Sequence, residues 1–147
     1  MKRVLAGGGK WAAGVAVLLA LTAPGASAGV QHLAQTVYSG RTTWYPSDTG
    51  PDACTGKNHR DSDFYVALNV RQFGDGSRAC GRQLRVDYSG KSITVTVVDE
   101  CATCAGSGQL DLTRGAFEVL AGNADVGAIY TTWSFTDEGD DPPPARR

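Results

Sequence analysis

The segment Gln83-Leu84-Arg85-Val86-Asp87-Tyr88-Ser89-Gly90-Lys91-Ser92-Ile93-Thr94-Val95-Thr96-Val97-Val98-Asp99 decides the fold class. Ile93, Val95 and Val97 alternate with Ser92, Thr94 and Thr96, which is the period of a half-buried strand, and Leu84 and Val86 begin the same alternation upstream. Ser89-Gly90 between the two runs supplies a two-residue turn, so the segment reads as a β-hairpin. Outward from it, further strands are expected at Gly40 to Tyr45, around Tyr65 to Asn69, and at Ala128 to Phe135. In the last of these Ile129, Thr131, Trp133 and Phe135 alternate with Tyr130, Thr132 and Ser134. A helix is predicted over Leu112 to Ala121, with Ala116, Phe117, Leu120 and Ala121 at helical spacing, Thr113 as N-cap and Gly122-Asn123 as its end. Many short strands, Gly-rich turns and one or two helices within about a hundred residues indicate an all-β chain closed into a small barrel.

The 147 residues carry 14 Lys and Arg against 15 Asp and Glu. Residues 1–28 read as a secretory signal: a basic start with Lys2, Arg3 and Lys10 precedes an apolar run from Trp11 to Leu21, and Ala26-Ser27-Ala28 forms a small-residue cleavage site. The run is too short to remain as a membrane span. Cleavage removes three positive charges and no acid, leaving 11 against 15. That balance argues against nucleic acid as a partner, because binding by phosphate neutralisation draws on a surplus of Lys and Arg. The expected product is a secreted, extracellular monomer that leaves the membrane once the signal is cut. Residues 29–35 read as a lead-in and 36–136 as the folded domain. Residues 137–147, rich in acids and Pro, read as a disordered tail with too little apolar surface to offset its ordering entropy.

Cys54, Cys80, Cys101 and Cys104 are an even set in an oxidising compartment, which predicts two disulfides with three pairings open. Cys101 and Cys104 have the spacing of half a zinc site, but Cys54 and Cys80 stand apart and only His59 lies near at ligand spacing. No metal and no cofactor are expected. His59 itself reads as a solvated loop residue.

Several stretches together resemble one family. They are Gly40-Arg41-Thr42-Thr43-Trp44-Tyr45, Ala53-Cys54, Val66-Ala67-Leu68-Asn69, Cys80-Gly81, Thr94 through Cys101, Leu110-Asp111-Leu112-Thr113 and Thr132-Trp133-Ser134-Phe135. In order and spacing the set is similar to the rare lipoprotein A-like double-psi β-barrels, a group shared with expansins, barwin-like proteins and secreted papain inhibitors of actinobacteria. The resemblance implies a six-stranded barrel, disulfides joining Cys54 to Cys80 and Cys101 to Cys104, and a cleft holding Thr43, Asp99 and Asp111. It implies activities ranging from lytic transglycosylase to wall loosening without hydrolysis to protease inhibition.

Read from the residues alone, each aspartate ends or interrupts an apolar strand, where a carboxylate is costly unless paired or set at a cleft rim. The plainer alternatives are that Asp111 caps the helix near Thr113 and that Asp99 ends its strand by accepting turn N–H groups. Hydrolysis asks for two carboxylates of different pKa. By resemblance to barrel-shaped endoglucanases the acid falls on Asp111, while the base position lands on Pro46 or Ser47, with Asp48 just beyond. The transglycosylase pattern pairs Asp99 with a His, and that position is Asn69 here, which removes the proton carrier. Among the aromatics, alternation assigns Trp133 to the core and sets Trp44 and Tyr45 on opposite faces, so one of those two should be exposed. The leading expectation is a non-hydrolytic barrel binding cell-wall polysaccharide, peptidoglycan or a plant-type glucan, through Thr43, Trp44, Tyr45, Asn69, Asp99 and Asp111. A secreted inhibitor of papain-like cysteine proteases, acting through loops, is the second reading and a lytic transglycosylase the third.

Overall fold

The computed structural model describes residues 35–137. The signal segment, residues 29–34 of the lead-in and the tail from residue 138 lie outside the described residues. The strands are β1 (Tyr38–Tyr45), β2 (Tyr65–Asn69), β3 (Gln83–Tyr88), β4 (Lys91–Cys101), β5 (Leu110–Thr113) and β6 (Ile129–Phe135). Two short helices, α1 (Val70–Phe73) and α2 (Arg114–Ala121), come directly after β2 and β5. The strands close into a barrel in the order β1-β5-β2-β4-β3-β6. β1 with β5 and β2 with β4 run parallel, and the other neighbours are antiparallel. This is the six-stranded barrel that the resemblance implies.

The hairpin forms as its sequence dictates. Leu84, Val86, Ile93, Val95 and Val97 are buried, and Ser89 and Gly90 both take positive φ (47° and 80°), as a two-residue hairpin turn of this hand requires. Inside the barrel these side chains meet Val66, Leu68, Leu110, Leu112, Phe117 and Phe135. Trp133 is core, 1% exposed, with its indole N–H donated to the Gly108 carbonyl at 2.9 Å and its ring stacked on Tyr38. A polar pair set into this interior, Thr42 and Thr131, satisfies itself, hydroxyl to hydroxyl at 2.7 Å.

The boundaries differ from the sequence reading where tertiary contacts outweigh local pattern. β1 starts at Tyr38 because its first half pairs with β6, and β4 continues past Asp99 to Cys101 because β2 runs beside it. Leu112 and Thr113 are strand, not helix, since Leu110–Thr113 is clamped between β1 and β2. Thr113 stands at the N-cap position of α2 without capping it by its side chain; its hydroxyl donates to the Asp63 carbonyl instead. Gln35 donates its side-chain amide to the Phe135 carbonyl, and Asp137, the first residue of the expected tail, pairs with Arg82 at 3.0 Å.

Two covalent links and one close crossing hold the loops. Cys54 is joined to Cys80 and Cys101 to Cys104, the pairing the resemblance implies. Where the segment leading into β5 crosses β1, a Cβ on Gly108 would lie 1.8 Å from the Ser39 carbonyl oxygen, and one on Gly40 would lie 2.5 Å from the Gly108 backbone. Only glycine fits there.

Gly108→Ala is therefore expected to lose about 3 kcal/mol or more, or to fail to fold, as read by urea denaturation. Replacing Cys54 and Cys80 by Ser, which opens a 26-residue separation, should lower stability by about 3 kcal/mol; the same change at Cys101 and Cys104, three residues apart, should cost roughly half as much.

Candidate functional site

Directly opposed residues of neighbouring strands share a face. Thr43 lies opposite Asp111, Asp111 opposite Ala67, and Ala67 opposite Asp99. Their chain neighbours Thr42, Leu110, Leu112, Val66 and Leu68 point inward and are fully buried. The row Thr43, Asp111, Ala67 and Asp99 thus crosses four strands on the outer face, and two strand spacings set the Cα atoms of the aspartates roughly 10 Å apart. Ala67, the small residue between them, is itself buried, because the Tyr45 ring packs on it.

Asp111 accepts the Thr43 hydroxyl on Oδ1 at 2.5 Å. Burial holds its carboxyl above the usual carboxylate range, while that hydrogen bond and the Arg41 guanidinium act in the opposite direction. It does not cap α2. Asp99 accepts two backbone amides on Oδ1, Ala53 at 3.0 Å and Glu100 at 2.8 Å, so it anchors the loop that carries Cys54; it does not end its strand, which runs on to Cys101. The two acids have therefore been given different surroundings: one is partly desolvated beside a hydroxyl, the other is fixed by amides.

Tyr45 lies two residues beyond Thr43 on the same face, packed against Ala67 and the Cys101–Cys104 disulfide. It is 8% exposed, and its hydroxyl is buried without a hydrogen-bond partner among the described residues. Burial first, then the charges of Asp99, Asp111 and Asp52, push this hydroxyl above the usual phenol range, so it can act only as a neutral group. Trp44 faces the other way, is half-buried, donates its N–H to the Ala124 carbonyl at 2.9 Å and carries the Arg114 guanidinium over its ring. The expectation that one of these two rings is exposed is not met: loops and the disulfide roof one, and α2 with the turn after it covers the other.

Asn69 does not line the cleft. It is fully buried, N-caps α1 by accepting the Gln72 N–H, and donates to the Ser107 and Gln109 carbonyls. His59, read as solvated, is 7% exposed instead, set edge-on to Tyr45 at 5.1 Å and Tyr65 at 6.1 Å, with neither ring nitrogen partnered among the described residues. The loop folds back over β1 and β2 because Asp61 ties it at two points, its carboxylate accepting the Ser47 N–H and its carbonyl the Gly115 N–H. Asp48 lies exposed in the 3₁₀ turn Ser47–Thr49. Among the described residues no cluster of His, Cys, Asp and Glu suits a metal ion. Sequence reasoning missed Arg41 and Ala67; their strand register beside Thr43, Asp111 and Asp99 is the signal that finds them.

No family model matches the chain. Among curated relatives it is similar to putative ripening-related protein 6 of Oryza sativa subsp. japonica, 34% identical over 90 residues, which are 58% of this chain and 53% of that protein. The chain spans about half the length of the curated relatives it matches. Among solved structures it is similar to a Streptomyces papain inhibitor, with 29% identity and a TM-score of 0.60 over 69% of this chain and 96% of that one. It is also similar to a mutant Clavibacter michiganensis expansin in complex with cellohexaose, with 27% identity and a TM-score of 0.57 over 73% of this chain and 54% of that one. The resemblance read from the sequence is thus to the right group, and the barrel is of the double-psi kind.

Two substitutions test these electrostatics. Tyr45→Phe removes a buried hydroxyl that has no partner and is expected to leave stability unchanged or raise it by about 1 kcal/mol. Because Asp111 is raised in the folded protein, its contribution favours the fold most at pH below the unfolded carboxylate value and declines as pH rises through the folded one. Asp111→Asn keeps an acceptor for Thr43 without the charge, so it should be more stable than the parent at neutral pH, with the gap closing as pH falls through the acid range. Thermal melts at stepped pH check both.

Proposed function

We propose that this is a secreted, non-hydrolytic barrel that binds cell-wall polysaccharide, peptidoglycan or a plant-type glucan, at the outer face that carries Thr43, Asp111 and Asp99. The observation that carries the reading is the unequal pair of half-buried aspartates on the outer face of the barrel. Both sets of protein hydrogen bonds end on Oδ1. The remaining carboxylate oxygens can accept hydrogen bonds from sugar hydroxyls, which are stronger for being charge-assisted. Cutting the glycosidic bond needs more: an acid and a second group of suitable pKa across the bond. Burial gives Asp111 an acid-like character, but Asp99 is engaged by two amides, Asp48 lies in a separate exposed turn, and Asn69 is sealed into the cap of α1. The likeness to an expansin crystallised with cellohexaose supports glycan as the ligand class.

The second reading, inhibition of a papain-like cysteine protease, is favoured by one specific observation: the likeness to the Streptomyces papain inhibitor extends over 96% of that protein. In that case the surfaces at work would be the loops 46–64 and 74–82, which the Cys54–Cys80 disulfide ties together.

Pull-down on insoluble peptidoglycan and on cellulose, with papain inhibition measured on the same sample, separates the readings. The expected result is retention on one polysaccharide, weakened severalfold in Asp111→Asn, with no reducing ends or anhydro-sugar products from either protein. Soluble muropeptides or cello-oligomers released by the parent and abolished in Asp111→Asn would sink the non-hydrolytic reading. Papain inhibition kept by Asp111→Asn and Asp99→Asn, with no glycan retained, would replace it with the inhibitor.

A further inference from the structure

The cleft row does not end at Thr43. Arg41, two residues earlier on β1, lies on the same outer face, and its charge reaches the Asp111 carboxyl. Directly opposite Arg41 on β6 is Tyr130, which is 76% exposed in a strand whose neighbours Ile129 and Thr131 are buried. An aromatic left open at the second position of a strand in a closed barrel gains nothing for the core. On its far side Tyr130 borders a groove of about 510 Å³ at the β3–β4 turn, walled by the Arg85–Asp87 ion pair and by Ser92 and Thr132. Polar side chains that point along or across a sugar ring, beside one exposed aromatic face, are the ingredients of carbohydrate recognition: the ring's C–H face stacks on the aromatic while its hydroxyls meet the polar rim.

We infer that Tyr130 is a stacking platform for a β-1,4-linked pyranose chain, forming an outer subsite that continues the Thr43 and Asp111 cleft past Arg41 and into the groove at the hairpin turn. The inference rests on the glycan-binding reading above and extends it. Strand spacing sets Tyr130 one strand and two residues from Thr43, roughly 8 Å, and roughly 12 Å from Asp111. A single sugar ring therefore cannot touch both Tyr130 and Asp111, whereas a chain of a few rings can. The subsite should be felt as a dependence on chain length.

The test is calorimetric titration of the full chain with cellobiose, cellohexaose and the matching N-acetylglucosamine oligomers, the two series separating glucan from peptidoglycan-type backbones. The parent should bind the hexamer of one series more tightly than the dimer. Tyr130→Ala should weaken hexamer binding about tenfold and leave the dimer unchanged, and Tyr130→Phe, which keeps the ring, should match the parent. Since Tyr130 is exposed, these variants should melt with the parent. Hexamer affinity unchanged in Tyr130→Ala but lost in Asp111→Asn would overturn the subsite and leave the cleft standing. Equal weakening of dimer and hexamer would also overturn it, and no binding of any oligomer by the parent would overturn both.

Discussion

The crossing of Gly40 and Gly108 is the constraint on which the rest of the barrel depends. Two stretches of backbone pass at a distance that excludes a single methyl group. Around it, side chains from two other strands complete the contact. The Trp133 indole donates to the Gly108 carbonyl, and the Asn69 amide donates to the carbonyls of Ser107 and Gln109 on either side. The short strand β5 is thereby laid alongside β1, with Thr43 opposite Asp111. Without that approach the Thr43 hydroxyl and the Asp111 carboxylate would have no reason to meet, and Asp111 would be one more acid at the start of a helix.

On the outer face, packing imposes a division of labour. The disulfide at Cys101 and Cys104 and the small Ala67 make a shallow seat that Tyr45 fills with its ring, leaving its hydroxyl among acids. A hydroxyl kept neutral by those acids and by burial is a donor awaiting an acceptor. Asp99, in contrast, is committed to the loop it anchors. The two carboxylates look alike in sequence, and partners brought from distant segments distinguish them: Thr43 of β1 for Asp111, the loop residue Ala53 for Asp99.

How much of this is legible in the chain depends on where the deciding contacts lie. The β3–β4 hairpin is legible because its alternation and its Ser89-Gly90 turn are local. β5 is not legible by periodicity: Leu110-Asp111-Leu112-Thr113 runs into the helical pattern of Ala116, Phe117 and Leu120, and only pairing with two distant strands makes it extended. The family resemblance supplies the place of Asp111 on a strand and the disulfide pairing. Nothing in the sequence marks His59 as buried, because its enclosure comes from a loop pinned through Asp61 to Ser47 and Gly115. Alternation correctly sets Trp44 and Tyr45 on opposite faces, yet it cannot say that both faces of that strand end up covered.

The same crossing has a kinetic side. Like Gly40 and Gly108, the residues that close the barrel lie far apart along the chain: the Thr42–Thr131 pair that joins β1 to β6 spans 89 residues, and the contact of Gln35 with Phe135 spans 100. Chains whose native contacts are this distant in sequence must close large loops before any of those contacts stabilises them, and they fold slowly, on the millisecond to second scale. Both strand neighbours of β1, namely β5 and β6, belong to the last third of the described sequence. A nascent chain emerging from its N-terminus therefore holds β1 without either of its final strand partners until nearly the whole barrel sequence is available, so the barrel closes as a late event and not strand by strand.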